Sequence, residues 1–299
     1  MLGLSKRTID EYEASGEIER VYAEIQPTLR VSGVNLNFRT WAAQDHLLPL
    51  LWDPLKANCG TDTFEQSADE LRATAAASAI RLSRLEAHPA AGLGESQAFQ
   101  LHEALKLYHF VNPKLLLFTS TVKLALDGEL HAPDSFADVS KTPRRVTPGA
   151  PPDMYPMAMV DEQPDDTTVQ EVFDDIKQTL DLKSVNSDYR TMALWPAYLK
   201  AMWRSLKPVT QQQDYTDAAD RLRDRSRQLA GQLPLPISLP TRTLEAGGAD
   251  VDKAIETTAA FECLLPGLIL NIALCLRDFV DDDRLSESPW PASYRTLPE

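Results

Sequence analysis

Residues 34–40 read Val34-Asn35-Leu36-Asn37-Phe38-Arg39-Thr40, and residues 185–191 read Val185-Asn186-Ser187-Asp188-Tyr189-Arg190-Thr191. The two stretches lie 151 positions apart, and the same register holds outward without a gap over Val21–Arg72 and Val172–Arg223. Seventeen of those 52 pairs are identical, where about three would be expected from background residue frequencies. Thr28-Leu29 recurs as Thr179-Leu180, Trp52 as Trp203, Leu55-Lys56 as Leu206-Lys207, and Leu71-Arg72 as Leu222-Arg223. Conservative pairs join them: Tyr22 with Phe173, Phe38 with Tyr189, Phe64 with Tyr215. A weaker match resumes at an offset of 153, where Pro113, Leu115 and Leu117 meet Pro266, Leu268 and Leu270. The chain is a tandem duplication.

Each copy reads as helices. Ile18, Val21, Tyr22, Ile25 and Leu29 recur at three- and four-residue spacing, as do Val169, Val172, Phe173, Ile176 and Leu180. That is one apolar stripe per helix. Ser15-Gly16 marks a helix start, Phe64 to Ser78 continue a further helix, and Pro113 is expected to open an apolar one running to about Leu126. Period-two alternation is scarce, so no sheet is expected. Between the copies, residues 129–168 hold seven of the 21 prolines and cannot be helical for long. The expected architecture is all-α: a first helical repeat over 1–128, a Pro-rich connector over 129–168, and a second repeat with a C-terminal tail over 169–299. Two such copies pack as an intramolecular pseudo-dimer, whose interface is a natural place for a site.

Composition narrows the function. With 43% hydrophobic and 25% charged residues the chain can build a core. Its net charge of -14 disfavours nucleic acid and, more weakly, anionic membranes. Cys59, Cys263 and Cys275 are odd in number and lack CxxC spacing, which suits reduced, buried thiols in a cytoplasm. Residues 1–7 show no apolar leader, and the apolar stretches near Leu115 and Leu264–Leu276 read as core helices too short or interrupted to span a membrane.

Packing residues stay alike in a duplicated scaffold, whereas a single site needs unlike groups on its two sides. Asp188 stands where the first copy has Asn37. A lone carboxylate in a pseudo-symmetric site suits a general base, and it equally suits a cap on a helix beginning at Ser187. Asn112 stands before Pro113 where Leu265 precedes Pro266; Thr61 and Glu65 face Gln212 and Thr216. A helix cap and a surface i,i+4 pair are the plain alternatives for these. Trp195-Pro196 breaks the match to Gln44-Asp45 and suits core packing or ligand stacking. GxGxxG, Walker A, GxSxG and HExxH patterns are absent; His102 and His109 read as core or surface groups, and the Asp174-Asp175 pair and the Asp281–Asp283 run as solvated acidic turns.

Four stretches carry a resemblance to a known family. Gly16-Glu17-Ile18-Glu19 through Thr28-Leu29-Arg30-Val31, Thr61-x-x-x-Glu65 with Ala68-Asp69-Glu70-Leu71, Asn112-Pro113-Lys114-x-Leu116-Leu117, and Ser187-Asp188-Tyr189 with Leu194-Trp195-Pro196 resemble, in order and spacing, the group I 2-haloacid dehalogenases. That resemblance implies an all-helical, duplicated hydrolase that needs no cofactor or metal. It implies release of halide from a short 2-haloalkanoic acid with inversion at C2, by water activated at Asp188 and positioned with Asn112. Thr61 and Glu65 match residues the family needs for activity. Asn186, Ser187, Gly33 and Leu36 fall where the family meets its substrate. Non-stereospecific members carry bulky aromatics in place of Gly33 and Leu36 and alanine in place of Asn186; D-specific members carry asparagine there. The chain therefore resembles the D-specific members, with action on both enantiomers, or a non-catalytic scaffold of the same fold, as the alternatives. A redox or decarboxylase-like helical enzyme fits less well, because Cys263 has no second cysteine at CxxC spacing. The implied partners are a 2-haloacid and water, in the cytoplasm, with a homodimer as the assembly to consider.

Overall fold

The computed structural model describes residues 8–130, 143–156 and 158–294. Twelve α-helices are assigned among them, and the only β pairing is two isolated bridges. The first copy holds α1 (Gly16–Leu29), α2 (Leu36–Ala42), α3 (Leu47–Cys59), α4 (Asp62–Ala79), α5 (Ala87–Ala91) and α6 (Glu95–Leu126). The second repeats them as α7 (Thr167–Leu180), α8 (Ser187–Met192), α9 (Pro196–Thr210), α10 (Gln213–Ala230), α11 (Thr241–Ala246) and α12 (Val251–Leu276). Even the chain reversals match: α1 ends at Arg30 and α7 at Asp181, both in the left-handed region.

Side-chain chemistry repeats with the backbone. Trp52 donates its indole N–H to Glu24 at 2.8 Å, and Lys56 donates to the same carboxylate at 3.2 Å. One copy later, Trp203 donates to Asp175 at 2.7 Å, and Lys207 pairs with it at 2.7 Å. These clamps tie α1 to α3 and α7 to α9. Asp175, expected as part of a solvated acidic turn, is thus a structural acceptor.

The copies interlock. The long helices α6 and α12 form the most extensive contact, with α4 and α10 packed on both. α5 of the first copy packs on α9 of the second, while α11 of the second packs on α3 of the first. Likewise α8 meets α6, and α2 meets α12. The stripes of α1 and α7 are buried within their own copies, on α3 and α9, while the other helices join the copies as the expected pseudo-dimer. α12 is long and apolar enough to cross a membrane, contrary to the reading of its sequence as too short, but two thirds of its most apolar window is buried inside the protein. It is a core helix. Cys59 and Cys275 are buried as expected, whereas Cys263 is exposed; all three are free.

Pro113 does not open a helix. It lies in the middle of α6, as Pro266 lies inside α12. A mid-helix proline has no N–H for the carbonyl four residues earlier, here that of His109. Arg72 supplies the missing donor. Its fully buried guanidinium donates to the His109 carbonyl at 2.9 Å and the Phe110 carbonyl at 3.3 Å, and it pairs with Asp69. A leucine at position 72 would leave the His109 carbonyl unsatisfied in the core. Arg72→Leu is expected to cost about 1–3 kcal/mol, read as a lower urea midpoint; a midpoint within error of wild type would contradict the assignment.

Three parts of the sequence reading fall outside the described residues: the start of the chain over 1–7, the middle of the connector over 131–142, including Pro133, and the end of the C-terminal tail over 295–299. The connector that is described does more than tether. It has no helix before Thr167; Arg145 bridges to Thr61, and the Ala158 carbonyl accepts from the Thr191 hydroxyl at 2.8 Å.

Candidate active site

The short helix α8 presents Asp188 in its first turn, one residue after Ser187 and two after the N-cap Asn186. The long helix α6 of the other copy passes beside it. Asn112, in the interior of α6 rather than at an end, donates its side-chain N–H to Asp188 Oδ1 at 2.7 Å. The Ser187 hydroxyl donates to Asp188 Oδ2 at 3.4 Å. The carboxyl is 2% exposed. Burial pushes its pKa up to about 6, against the opposing pull of Asn112, its own backbone N–H and Ser187. It is therefore ionised at neutral pH yet far more basic than a surface aspartate, as a base that takes a proton from water must be. Neither plain alternative fits: Asn186, not Asp188, occupies the N-cap position, and Asn112 caps nothing.

The pseudo-symmetric position lacks this chemistry, with Asn37 and Leu265 in place of Asp188 and Asn112. Differences extend behind the base. Tyr189, next to Asp188, accepts from the Asn271 amide at 2.7 Å, and Asn271 in turn accepts from Tyr215 at 2.8 Å. The equivalent residues of the first copy are Phe38, Phe118 and Phe64, and there Phe38 packs edge-on against Phe118 with centroids 5.1 Å apart. A buried polar chain backs α8 where α2 is backed by aromatic packing.

A cleft of about 650 Å³ lies between α6, the connector and the segment after α8; Asp188 itself does not line it. Its lining includes Tyr108 of α6 and Thr191 of α8, whose hydroxyls lie 2.7 Å apart. Tyr108 is also within reach of Ser187 and the charge of Asp188; burial, chiefly, and that charge raise its phenol well above the usual range. Trp195, the N-cap of α9, is 8% exposed and lines the cleft, so it belongs both to the core and to a ligand-sized cavity.

Thr61 and Glu65 lie in a different environment. Thr61 is the N-cap of α4: its hydroxyl accepts from the Phe64 amide at 3.2 Å and donates to the Asn58 carbonyl at 2.7 Å. Glu65 pairs with Arg30 at 2.6 Å and with Lys114 at 2.6 Å. All of these groups are buried, so the expectation of a surface i,i+4 pair fails. Burial works to raise the Glu65 carboxyl, but the two cations outweigh it and hold it below the ordinary range. Burial lowers Lys114 to about 8 against the attraction of Glu65, so it stays largely protonated at neutral pH. Lys114 stands two residues after Asn112 and lies over the Phe110 ring at 3.8 Å. The cluster braces α6 from the side opposite the base. The hydrogen bonds of Asp188 among the described residues do not include either Thr61 or Glu65.

The family model for halocarboxylic acid dehydrogenase DehI matches residues 33–189 and again 185–277. The chain belongs to the DehI family. The double match follows the duplication. An (R)-2-haloacid dehalogenase of Pseudomonas putida is 28% identical over 89% of this chain and 90% of its own length. A configuration-inverting 2-haloacid dehalogenase of Alcaligenes xylosoxydans xylosoxydans is 30% identical over 76% of this chain and 77% of its own. Among solved structures, a complex of D-2-haloacid dehalogenase with L-LA superposes with a TM-score of 0.81 at 25% identity, covering 91% of this chain and 95% of that one.

Within this DehI-family fold the four remaining candidates separate. Ser187 touches Asp188 directly. Asn186 is 9% exposed, makes no capping bond, and its side-chain oxygen has no partner among the described residues; Asn35, its counterpart, is also buried, makes no capping bond and has no partner for its oxygen among them. A shared capping role is thereby removed for both. Leu36 is the half-buried first residue of α2. Gly33 backs onto the N-terminal segment, where a Cβ would stand 3.3 Å from Glu11 Oε1. Sequence reasoning did not single out Tyr108, Thr191, Asn271 or Lys114. Thr191 matches Thr40 and left no signal, whereas extending the 153 offset pairs Asn271 with Phe118, Tyr108 with Phe261 and Lys114 with Gly267.

Proposed function

We propose that this chain hydrolyses the carbon–halogen bond of 2-haloalkanoic acids, preferring the D enantiomer, through water activated at Asp188. The observation that carries the reading is the buried Asp188–Asn112 pair, present on one side of the pseudo-two-fold and replaced by Asn37 and Leu265 on the other. In the reaction, water loses one proton to Asp188 while its oxygen bonds to C2. The carbon–halogen bond breaks with its electron pair on the departing halide, and the product is the 2-hydroxy acid of inverted configuration. A halide needs no protonation, so the main requirement is one water held in line. Asn112 fixes the carboxylate that aims it, and the free backbone N–H groups at the start of α8 meet the substrate carboxylate. Apolar walls strengthen these contacts by excluding bulk water. No ester forms on the protein.

Thr61 and Glu65 act in this scheme through α4 and α6, as positioning residues. The two halves are residues 1–128 and 169–299, joined by 129–168. A cytoplasmic location is in keeping with three unpaired cysteines. The direct test is halide release from the two enantiomers of 2-chloropropionate. The D enantiomer should yield L-lactate, with the L enantiomer essentially untouched. Equal rates would make the enzyme non-stereospecific, and no halide from either would leave a scaffold without the chemistry.

A further inference from the structure

The cleft that Tyr108 and Thr191 line is larger than a three-carbon acid needs. At about 650 Å³ it falls within the roughly 300–1,000 Å³ of pockets that enclose drug-sized ligands. Its walls include Phe99, Ala104 and Leu107 of α6, Tyr155 of the connector, and Leu194 and Trp195 after α8. Five large hydrophobic side chains are strongly exposed among the described residues, and three of them, Phe99, Tyr155 and Leu194, converge on this one cleft. Phe99 and Tyr155 meet edge-on with centroids 6.2 Å apart, and the Tyr155 carbonyl is held by the Ser32 hydroxyl at 2.9 Å. That bond ties the wall to the loop carrying Gly33. Exposed apolar groups gathered in a concave surface mark a binding site rather than ordinary surface.

We propose that the cleft receives the alkyl chain of the substrate, so that the preferred substrates are 2-haloalkanoic acids with chains longer than propionate. This rests on the reading of Asp188 as the base. The reacting carbon sits at Asp188, and the C3 substituent passes the Tyr108–Thr191 pair into the cleft. An alkyl chain is favoured over a protein partner because two lining residues, the hydrogen-bonded Tyr108 and Thr191, adjoin the base: Tyr108 reaches Ser187 and the charge of Asp188.

The experiment is halide release from the D enantiomers of 2-bromopropionate, 2-bromobutanoate and 2-bromohexanoate, by wild type and by Ala104→Trp. Ala104 is half-buried on the cleft wall, so an indole there fills the cleft without overpacking the core. Each added methylene should raise kcat/KM about fourfold, the equivalent of ~0.8 kcal/mol per buried CH2. In Ala104→Trp, the ratio of hexanoate to propionate kcat/KM should fall at least ~10-fold. Leu194→Gln, on the exposed rim, should lower the same ratio and serves if the tryptophan variant does not fold. A flat or declining series in wild type, with propionate still hydrolysed, would overturn the chain pocket while leaving the dehalogenase reading intact. No halide from any acid would overturn both. A wild-type dimer that Leu194→Gln dissociates, with the ratio unchanged, would show the cleft to be an interface between copies and would also overturn it.

Discussion

Replacing Asp188 by asparagine is expected to lower halide release at least ~100-fold while leaving the protein as stable as wild type or more stable. The two halves have one cause. The carboxyl titrates at 3.8 in an ordinary setting and is pushed to about 6 by burial in the fold. Between those pH values the folded protein holds a proton that the unfolded chain has lost. Stability therefore falls as pH rises through this window, and the full penalty applies above about pH 6. The ionised base costs about 3 kcal/mol at neutral pH, since each tenfold change in its acidity is worth about 1.4 kcal/mol. Asparagine has the same shape, can still accept from Asn112 if that amide faces it with its N–H, and carries no charge to bury. A raised melting temperature with lost turnover is thus the signature of a buried base. A melting temperature several degrees below wild type, or turnover within a few-fold of it, would contradict the assignment. The same titration sets the pH profile of the wild type. Since the base works only when ionised, kcat/KM should fall about tenfold per pH unit below about 6.

The second large effect concerns stereochemistry. Asn186→Ala is expected to raise activity toward L-2-chloropropionate from near zero to within about tenfold of the D rate, a gain on the order of a hundredfold. Water held by Asp188 must attack opposite the halogen. Opposite enantiomers therefore exchange the other C2 substituents while the carboxylate stays fixed. Asn186 stands two residues before the base, buried, with a side-chain oxygen that has no partner among the described residues. Placing a methyl or a halogen against that oxygen leaves its desolvation uncompensated. A difference of ~3 kcal/mol excludes one arrangement by over a hundredfold, at about 1.4 kcal/mol per factor of ten. The carboxamide caps nothing, so alanine should leave α8 in place. Unchanged selectivity in a folded Asn186→Ala protein would remove Asn186 from the gate.

The duplication made most of the fold legible. A gapless offset fixes which helices correspond, and the apolar stripes show which faces they bury. Pro113 and Pro266 mislead. A local reading of proline counts only its cost, whereas Arg72, which is far away in sequence, satisfies the carbonyl that Pro113 frees and lets α6 continue. Asp188 and Asn112 were legible as asymmetries between the copies, because a single active site cannot be symmetric. Thr191 was not, being identical to Thr40, and its meeting with Tyr108, which faces Phe261 in the repeat alignment, depends on the packing of α6 against α8 across the copies. The burial of Glu65 was equally hidden. Thr61-x-x-x-Glu65 looks like a surface pair until Arg30 and Lys114 close over the carboxylate.

The central claim is that Asp188 activates water and never becomes an ester. Hydrolysis of a limiting amount of D-2-haloacid by excess enzyme in heavy-oxygen water tests it most directly. Attack by water puts the heavy oxygen in the 2-hydroxy acid and leaves the peptide containing Asp188 unlabelled. Unlabelled product, with heavy oxygen in the Asp188 carboxylate, would show that the aspartate itself had displaced the halide, and would contradict the account.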